Sequence, residues 1–173
     1  MLAPVMPMDG PVPTSPRPLS LPREQWRRHP HFATQTLLLG SHENFRRIST
    51  MLVDNAGQAA TQAWIGRLYA QWIAAMRSHE AYEEYKLYPF LTRRWGLSFA
   101  EAEAGHQRLH ACDGEVRAAF DRGRGEGDSP DVLRIALERH DGVLREHLRH
   151  EEDLVIPALL ALTPREFEDY YRS

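Results

Sequence analysis

Four residues of the chain reappear 68 positions later with their spacing intact: His42, His79, Glu83 and Pro89 are matched by His110, His147, Glu151 and Pro157. The last three of each set lie in a shared pattern, His-x-x-x-Glu-Glu-x-x-x-x-Pro, running from His79 to Pro89 and from His147 to Pro157. A helix turns about 100° per residue, so a His and a Glu four apart sit about 40° from each other, one turn apart on one face. The repeat therefore encodes two helix pairs, each offering two imidazoles and a carboxylate to a common interior. His106, one turn before His110, adds a fifth imidazole. Imidazole nitrogens and carboxylates gathered in a core bind metal. A zinc site needs only three or four ligands, so seven point to two ions.

Helices must carry these residues, and apolar periodicity finds them. The first runs from about Phe32 to Asn55, with Leu38, His42, Phe45, Ser49 and Leu52 on one stripe. The second starts after Gly57 and carries Ile65, Tyr69, Trp72, Met76, His79 and Glu83; Pro89 disrupts or ends it, and Trp95-Gly96 marks a turn. Ser98-x-x-Glu101 has the form of a capping box and opens a third helix through His106, His110, Val116 and Phe120. Residues 123–130, GRGEGDSP, read as a loop. A fourth helix begins near Pro130, with Leu133, Leu137, His140, Leu144, His147, Glu151, Leu154 and Ala158 inward, and Thr163-Pro164-x-Glu166 caps a short final helix. The fold class is all-α: an up-down-up-down antiparallel four-helix bundle over residues 31–173. Residues 1–30 hold eight of the chain's twelve prolines and form an extended, weakly ordered arm, which Trp26 is able to pin to the bundle.

Composition narrows the function. At 173 residues the chain is one domain with a real core. Hydrophobic residues make up 42%, charged residues 26%, and the net charge is −3. That balance gives no basic excess for nucleic acid, and no apolar run approaches the roughly 18 residues of a membrane span. The first residues lack a charged leader with a continuous apolar stretch, so a cytoplasmic protein is expected. The one cysteine, Cys112, has no partner for an internal disulfide and lies about 200° from His110 on the helix, a bystander.

Leu, Met, Trp and Phe on these stripes are ordinary core packing. The polar members are not. A buried Glu without a partner costs several kcal/mol or takes up a proton; two of them, each a turn from a His on an apolar stripe, need a shared cation. Without it they are like charges at close quarters, and one carboxylate's pKa rises. Glu84 and Glu152 point about 100° away from Glu83 and Glu151 and read as helix-surface charges, with support of the site as the other role. His150 falls off the stripe and is expected to be exposed; His29 and His31 read as surface residues. His140 shares the stripe of His147 but lies about 10.5 Å away, so it reads as a core histidine with its hydrogen bonds satisfied. Tyr82, Met76 and Leu144 lie within a turn of the ligands and are expected to line a small-molecule pocket.

Taken in order, His42 with Glu43 and Arg46, HEAYEEYKLYP, HQRLH and HLRHEEDLVIP resemble the hemerythrin-like, or HHE cation-binding, domain family over most of residues 32–162. The resemblance implies a four-helix bundle around a non-haem di-iron centre. It assigns His106, His110 and His147 to one iron, His42 and His79 to the other, and Glu83 and Glu151 as bridges beside an oxo or hydroxo group. The second iron then keeps one open position, where the family binds oxygen.

Ferritin-like sites use Glu-x-x-His at i, i+3 and mostly carboxylates; here the order is His then Glu at i, i+4 and imidazoles outnumber carboxylates. Imidazole suits divalent iron, which favours reversible binding of oxygen, nitric oxide or peroxide for storage, delivery or sensing. A second reading is an enzyme that reduces nitric oxide or peroxide or donates iron for cluster repair, with His140, Tyr69 and Tyr82 as proton carriers. A third is a structural metal bundle, which would need a closed coordination shell. An apolar pocket favours reversible binding, a polar channel turnover.

Overall fold

Four amphipathic stripes have to be buried together, and an antiparallel bundle does so with short connections. The computed structural model describes residues 20–57, 62–122 and 131–172, and none of these lies in a strand. Its elements are α1 (Arg23–Trp26), α2 (Phe32–Gln35), α3 (Leu38–Asn55), α4 (Gln62–Tyr82), a π-helical turn (Glu83–Leu87), α5 (Tyr88–Trp95), α6 (Ala100–Arg122), α7 (Asp131–Leu160) and α8 (Pro164–Arg172). Cross-helix pairs give the directions. His42 meets Glu152 while Thr50 meets Arg145, so α3 and α7 are antiparallel. Glu84 meets His106 while Tyr69 meets Asp113, so α4 and α6 are too.

The apolar core falls into two clusters with the His/Glu layer between them. One gathers Phe45, Leu52, Ile65, Trp72, Met76, Leu109, Val116, Leu137 and Leu144. The other gathers Leu38, Leu87, Tyr88, Leu91, Phe99, Val155, Ile156 and Leu159. Each long helix passes from one cluster to the other through the polar layer: Leu38, His42, Phe45 along α3, for example. Large side chains buried this fully contribute about 1.5–3 kcal/mol each, and that apolar packing on both sides holds polar groups which alone would resist burial.

Several expected boundaries shift. The helix expected to run unbroken from Phe32 is interrupted at Thr36 and Leu37, where the Thr36 hydroxyl donates to the Phe32 carbonyl and competes with the backbone. Pro89 does not end the second helix. Proline lacks the N–H for the i−4 carbonyl, and the backbone widens into the π-helical turn, with the Tyr88 N–H bonding the Glu83 carbonyl, before continuing as α5. Gly96 then ends α5 at φ 68°, a left-handed conformation that glycine adopts without strain. The loop at 123–130 and the arm's residues 1–19 lie outside the described residues. The described end of the arm forms the short helix α1 rather than extended chain, and Trp26 is buried against the bundle.

Candidate metal centre

The layer brings together one histidine from α3 (His42), one from α4 (His79), one from α6 (His106) and one from α7 (His147), with Glu83 and Glu151 between them. His42 Nε2 lies 3.0 Å from His79 Nε2, and 3.6 Å from an oxygen of each carboxylate. His79 Nε2 approaches Glu83 Oε1 to 2.8 Å. On the other side His106 Nε2 is 3.4 Å from Glu83 Oε2, His147 Nε2 is 3.8 Å from Glu151 Oε2, and the two rings meet edge to face at 4.7 Å. His42, His79 and Glu83 each offer a ligand atom within 4.8 Å of the others.

The donor set fits a cation. Glu151 Oε2, His106 Nε2 and His147 Nδ1 are buried without a hydrogen-bond partner, a costly state unless a cation engages the site. Protonation takes up part of the deficit. Burial opposes charge on His42, but Glu152, Glu83 and Glu151 override it and raise its pKa to about 9. Burial likewise opposes charge on His106, and Glu83 and Glu84 raise it to about 9. Burial and the neighbouring Glu83 push Glu151 up to about 8, whereas Glu83, despite burial, is held well below the usual carboxylate range by His106, His42 and His79. Burial and the charge on His106 drive His147 down to about 3. In the metal-free protein, protons occupy the place of positive charge.

Glu84 and Glu152, expected mainly as surface charges, instead hold the imidazoles. Glu152 is 2% exposed and bonds His42 Nδ1 at 3.1 Å; Arg46 and Arg23 donate to it at 2.7 and 2.8 Å. Glu84 Oε1 bonds His106 Nδ1 at 2.8 Å. These two glutamates are themselves 68 positions apart, so each helix pair steadies a histidine of the other. The Tyr88 hydroxyl, brought inward by the π-helical turn, donates to Glu151 Oε1 at 2.9 Å.

His110 stands apart from the six. Its Nε2 bonds Glu80 Oε2 at 2.7 Å, and a third of its side chain is exposed. The sequence reading passed over Glu80, which is buried and lines the cavity of roughly 10 Å³ with Glu83, His106 and His147. Burial raises its pKa to about 7. Its i, i+3 relation to Glu83 was the available signal, hidden because Leu148 occupies the equivalent position of the repeat. Met76 and Leu144 line the cavity as expected, whereas Tyr82 lines a separate outer cleft. His140 is buried as a core residue against Trp72 and Tyr69, but neither ring nitrogen has a partner. His150 is exposed and Cys112 is a buried free thiol. Among the described residues no helix is long and apolar enough to cross a membrane.

A family model described as the hemerythrin HHE cation binding domain matches residues 34–159, well over half of the chain. No curated protein and no solved structure matches it.

Proposed function

The chain belongs to the hemerythrin HHE cation-binding domain family, and from that premise we propose that it is a non-haem di-iron protein binding oxygen, or a related small ligand such as nitric oxide or peroxide, reversibly. The observation that carries this reading is the set of buried donor atoms in one layer with no hydrogen-bond partner. The proposed ligands are His42 and His79 for one iron, His106 and His147 for the other, and Glu83 and Glu151 between them. Glu80 takes the place expected for His110, and His110 holds Glu80 much as Glu152 holds His42. When bound, iron supplies the ligand-binding and electron-transfer chemistry. The chain's own residues orient the imidazoles, through Glu84 and Glu152, and exclude water, through Phe45, Met76, Leu144 and Leu148 around the cavity.

One observation favours the enzymatic reading: His79 also borders an outer cleft that includes Tyr82 and Lys86, a polar approach of the kind that turnover needs. The discriminating experiment loads the protein anaerobically with ferrous iron, admits oxygen and follows the visible spectrum through gas exchange. A colour that returns through repeated cycles supports reversible binding; loss after one exposure, with steady consumption of added peroxide, supports the enzyme. Metal analysis of two variants tests the exchange of ligands: Glu80→Ala should lose one of two irons, while His110→Ala keeps both. The opposite result restores His110 as a ligand.

A further inference from the structure

His79 is the most exposed of the six converging residues: 15% of its side chain is accessible, against 4% or less for the others. Besides the metal cavity it lines a cleft of about 460 Å³ bordered by the start of α3, the end of α4, the π-helical turn and α8. That volume is far beyond what a gas requires and lies within the range of sites for organic molecules. The cleft's lining includes four aromatic side chains, Tyr82, Phe167, Tyr170 and Tyr171, beside four leucines. The hydroxyls of Tyr82 and Tyr170 hydrogen-bond each other, which ties α8 to α4 and fixes that wall. Among the described residues that line the cleft, Lys86 is the only Lys or Arg, and none is Asp or Glu. Its ammonium donates to the Tyr171 carbonyl at 3.3 Å and lies 5.4 Å from the Tyr170 ring centre. Gln35 supplies the remaining clue. It is 2% exposed and its Nε2 donates to the Leu162 carbonyl at 3.3 Å, which leaves Oε1 buried without a hydrogen-bond partner. A buried acceptor in that state favours a ligand that brings a donor.

We propose that this cleft binds an aromatic molecule bearing a hydroxyl and an acid group, the acid drawn to Lys86, the hydroxyl donating to Gln35 and the ring packed among the tyrosines and Phe167. The site adjoins His79, so its occupant lies beside the proposed iron centre; in that respect the inference rests on the reading above.

The test uses the full chain loaded with ferric iron, with 4-hydroxybenzoate as probe and azide as a small anion that reports on the iron alone. Calorimetry should give saturable binding of one 4-hydroxybenzoate per chain, with azide affinity shifted when the cleft is filled. Benzoate, lacking the hydroxyl, should bind the parent about tenfold more weakly, a gap that Gln35→Leu closes. Lys86→Gln and Phe167→Ala, both at the cleft's outer wall, should weaken 4-hydroxybenzoate by roughly fivefold to tenfold and leave azide affinity unchanged. Azide binding without 4-hydroxybenzoate binding up to millimolar concentration overturns the cleft proposal and leaves the iron centre standing. Binding that none of the three variants weakens overturns it as well. Failure of azide to bind the parent removes the iron centre on which the proposal rests.

Discussion

Gly105 has no side chain, and His147 stands where one would be: a Cβ there would lie 2.3 Å from His147 Nδ1. No real Cβ tolerates that approach, and Gly105 is buried between α6 and α7, so the ring must move. Gly105→Ala should therefore fold with nearly parental helicity but lose metal at the His106–His147 side, which metal analysis and circular dichroism read together. Glu152 acts on the other side through His42. Glu152→Gln keeps the shape but removes the charge that orients the ring, and metal affinity should fall by about 10- to 100-fold. Glu84→Gln should cost less, since its side chain is 36% exposed against 2% for Glu152. Parental affinity in Glu152→Gln would mean that this carboxylate does not orient His42 for metal. At this scale the sequence was informative about residue type and spacing and less so about rotation. His106 and His110 share a face, and spacing alone does not say how each is placed; in the fold His106 lies beside Glu83 while His110 pairs with Glu80.

The helices themselves were legible because their stripes are long and regular. Leu38, His42, Phe45, Ser49 and Leu52 are the buried residues of α3, as periodicity demands. Local signals were less reliable. Thr163 and Glu166 do form a reciprocal capping box, with the Thr163 N–H bonding Glu166 at 2.9 Å and the Glu166 N–H bonding Thr163 at 3.3 Å. The same signature at Ser98 and Glu101 meets a different outcome: α6 begins at Ala100, the Phe99 carbonyl accepts the Glu103 N–H, and Glu101 pairs with Arg108. Phe99 stacks on Tyr88 at 4.2 Å, so packing sets that helix start. The π-helical turn was not legible either, and it matters to the site. In an α-helix residues five apart lie about 140° apart, whereas an i, i+5 bonded turn brings Glu83 and Tyr88 round to the same side. Tyr88→Phe should leave the fold intact and deprive Glu151 of a donor that favours its ionised form. Its pKa then rises further, and the pH at which metal loads at a fixed concentration should move upward. An unchanged loading curve would mean the hydroxyl has no bearing on the site.

For the whole molecule the metal layer is both the seam between two apolar clusters and the point where stability depends on protons. His42 and His106 have raised pKa values in the metal-free fold, about 9 against an ordinary value of 6.5. Their stabilisation is complete below 6.5 and is lost as pH rises through 9. Glu151, raised to about 8, also binds its proton more tightly when folded, so its contribution fades in the same direction. On the acid side His140 and His147 act oppositely. Burial lowers them to about 4 and 3, so the unfolded chain gains protons first as pH falls below 6.5, and stability falls with it. Glu80, raised by burial to about 7, joins Glu151 in offsetting that acid-side fall, so the metal-free protein should hold a plateau up to about pH 6.5 and weaken toward pH 9. A loss of about 3 kcal/mol corresponds to roughly 10 °C in Tm at this chain length. Metal reverses the alkaline limb. On the proposed ligand set its binding should expel the protons of His42, His106 and Glu151, so affinity should grow as pH rises, and binding to the folded form alone adds to stability. The Tm gap between loaded and metal-free protein should widen steadily from pH 6.5 to 9, and calorimetry in buffers of different ionisation enthalpy should detect proton release on loading at pH 7. A metal-free Tm that stays flat across that range, together with a constant gap, would mean that protons and metal do not compete for this layer.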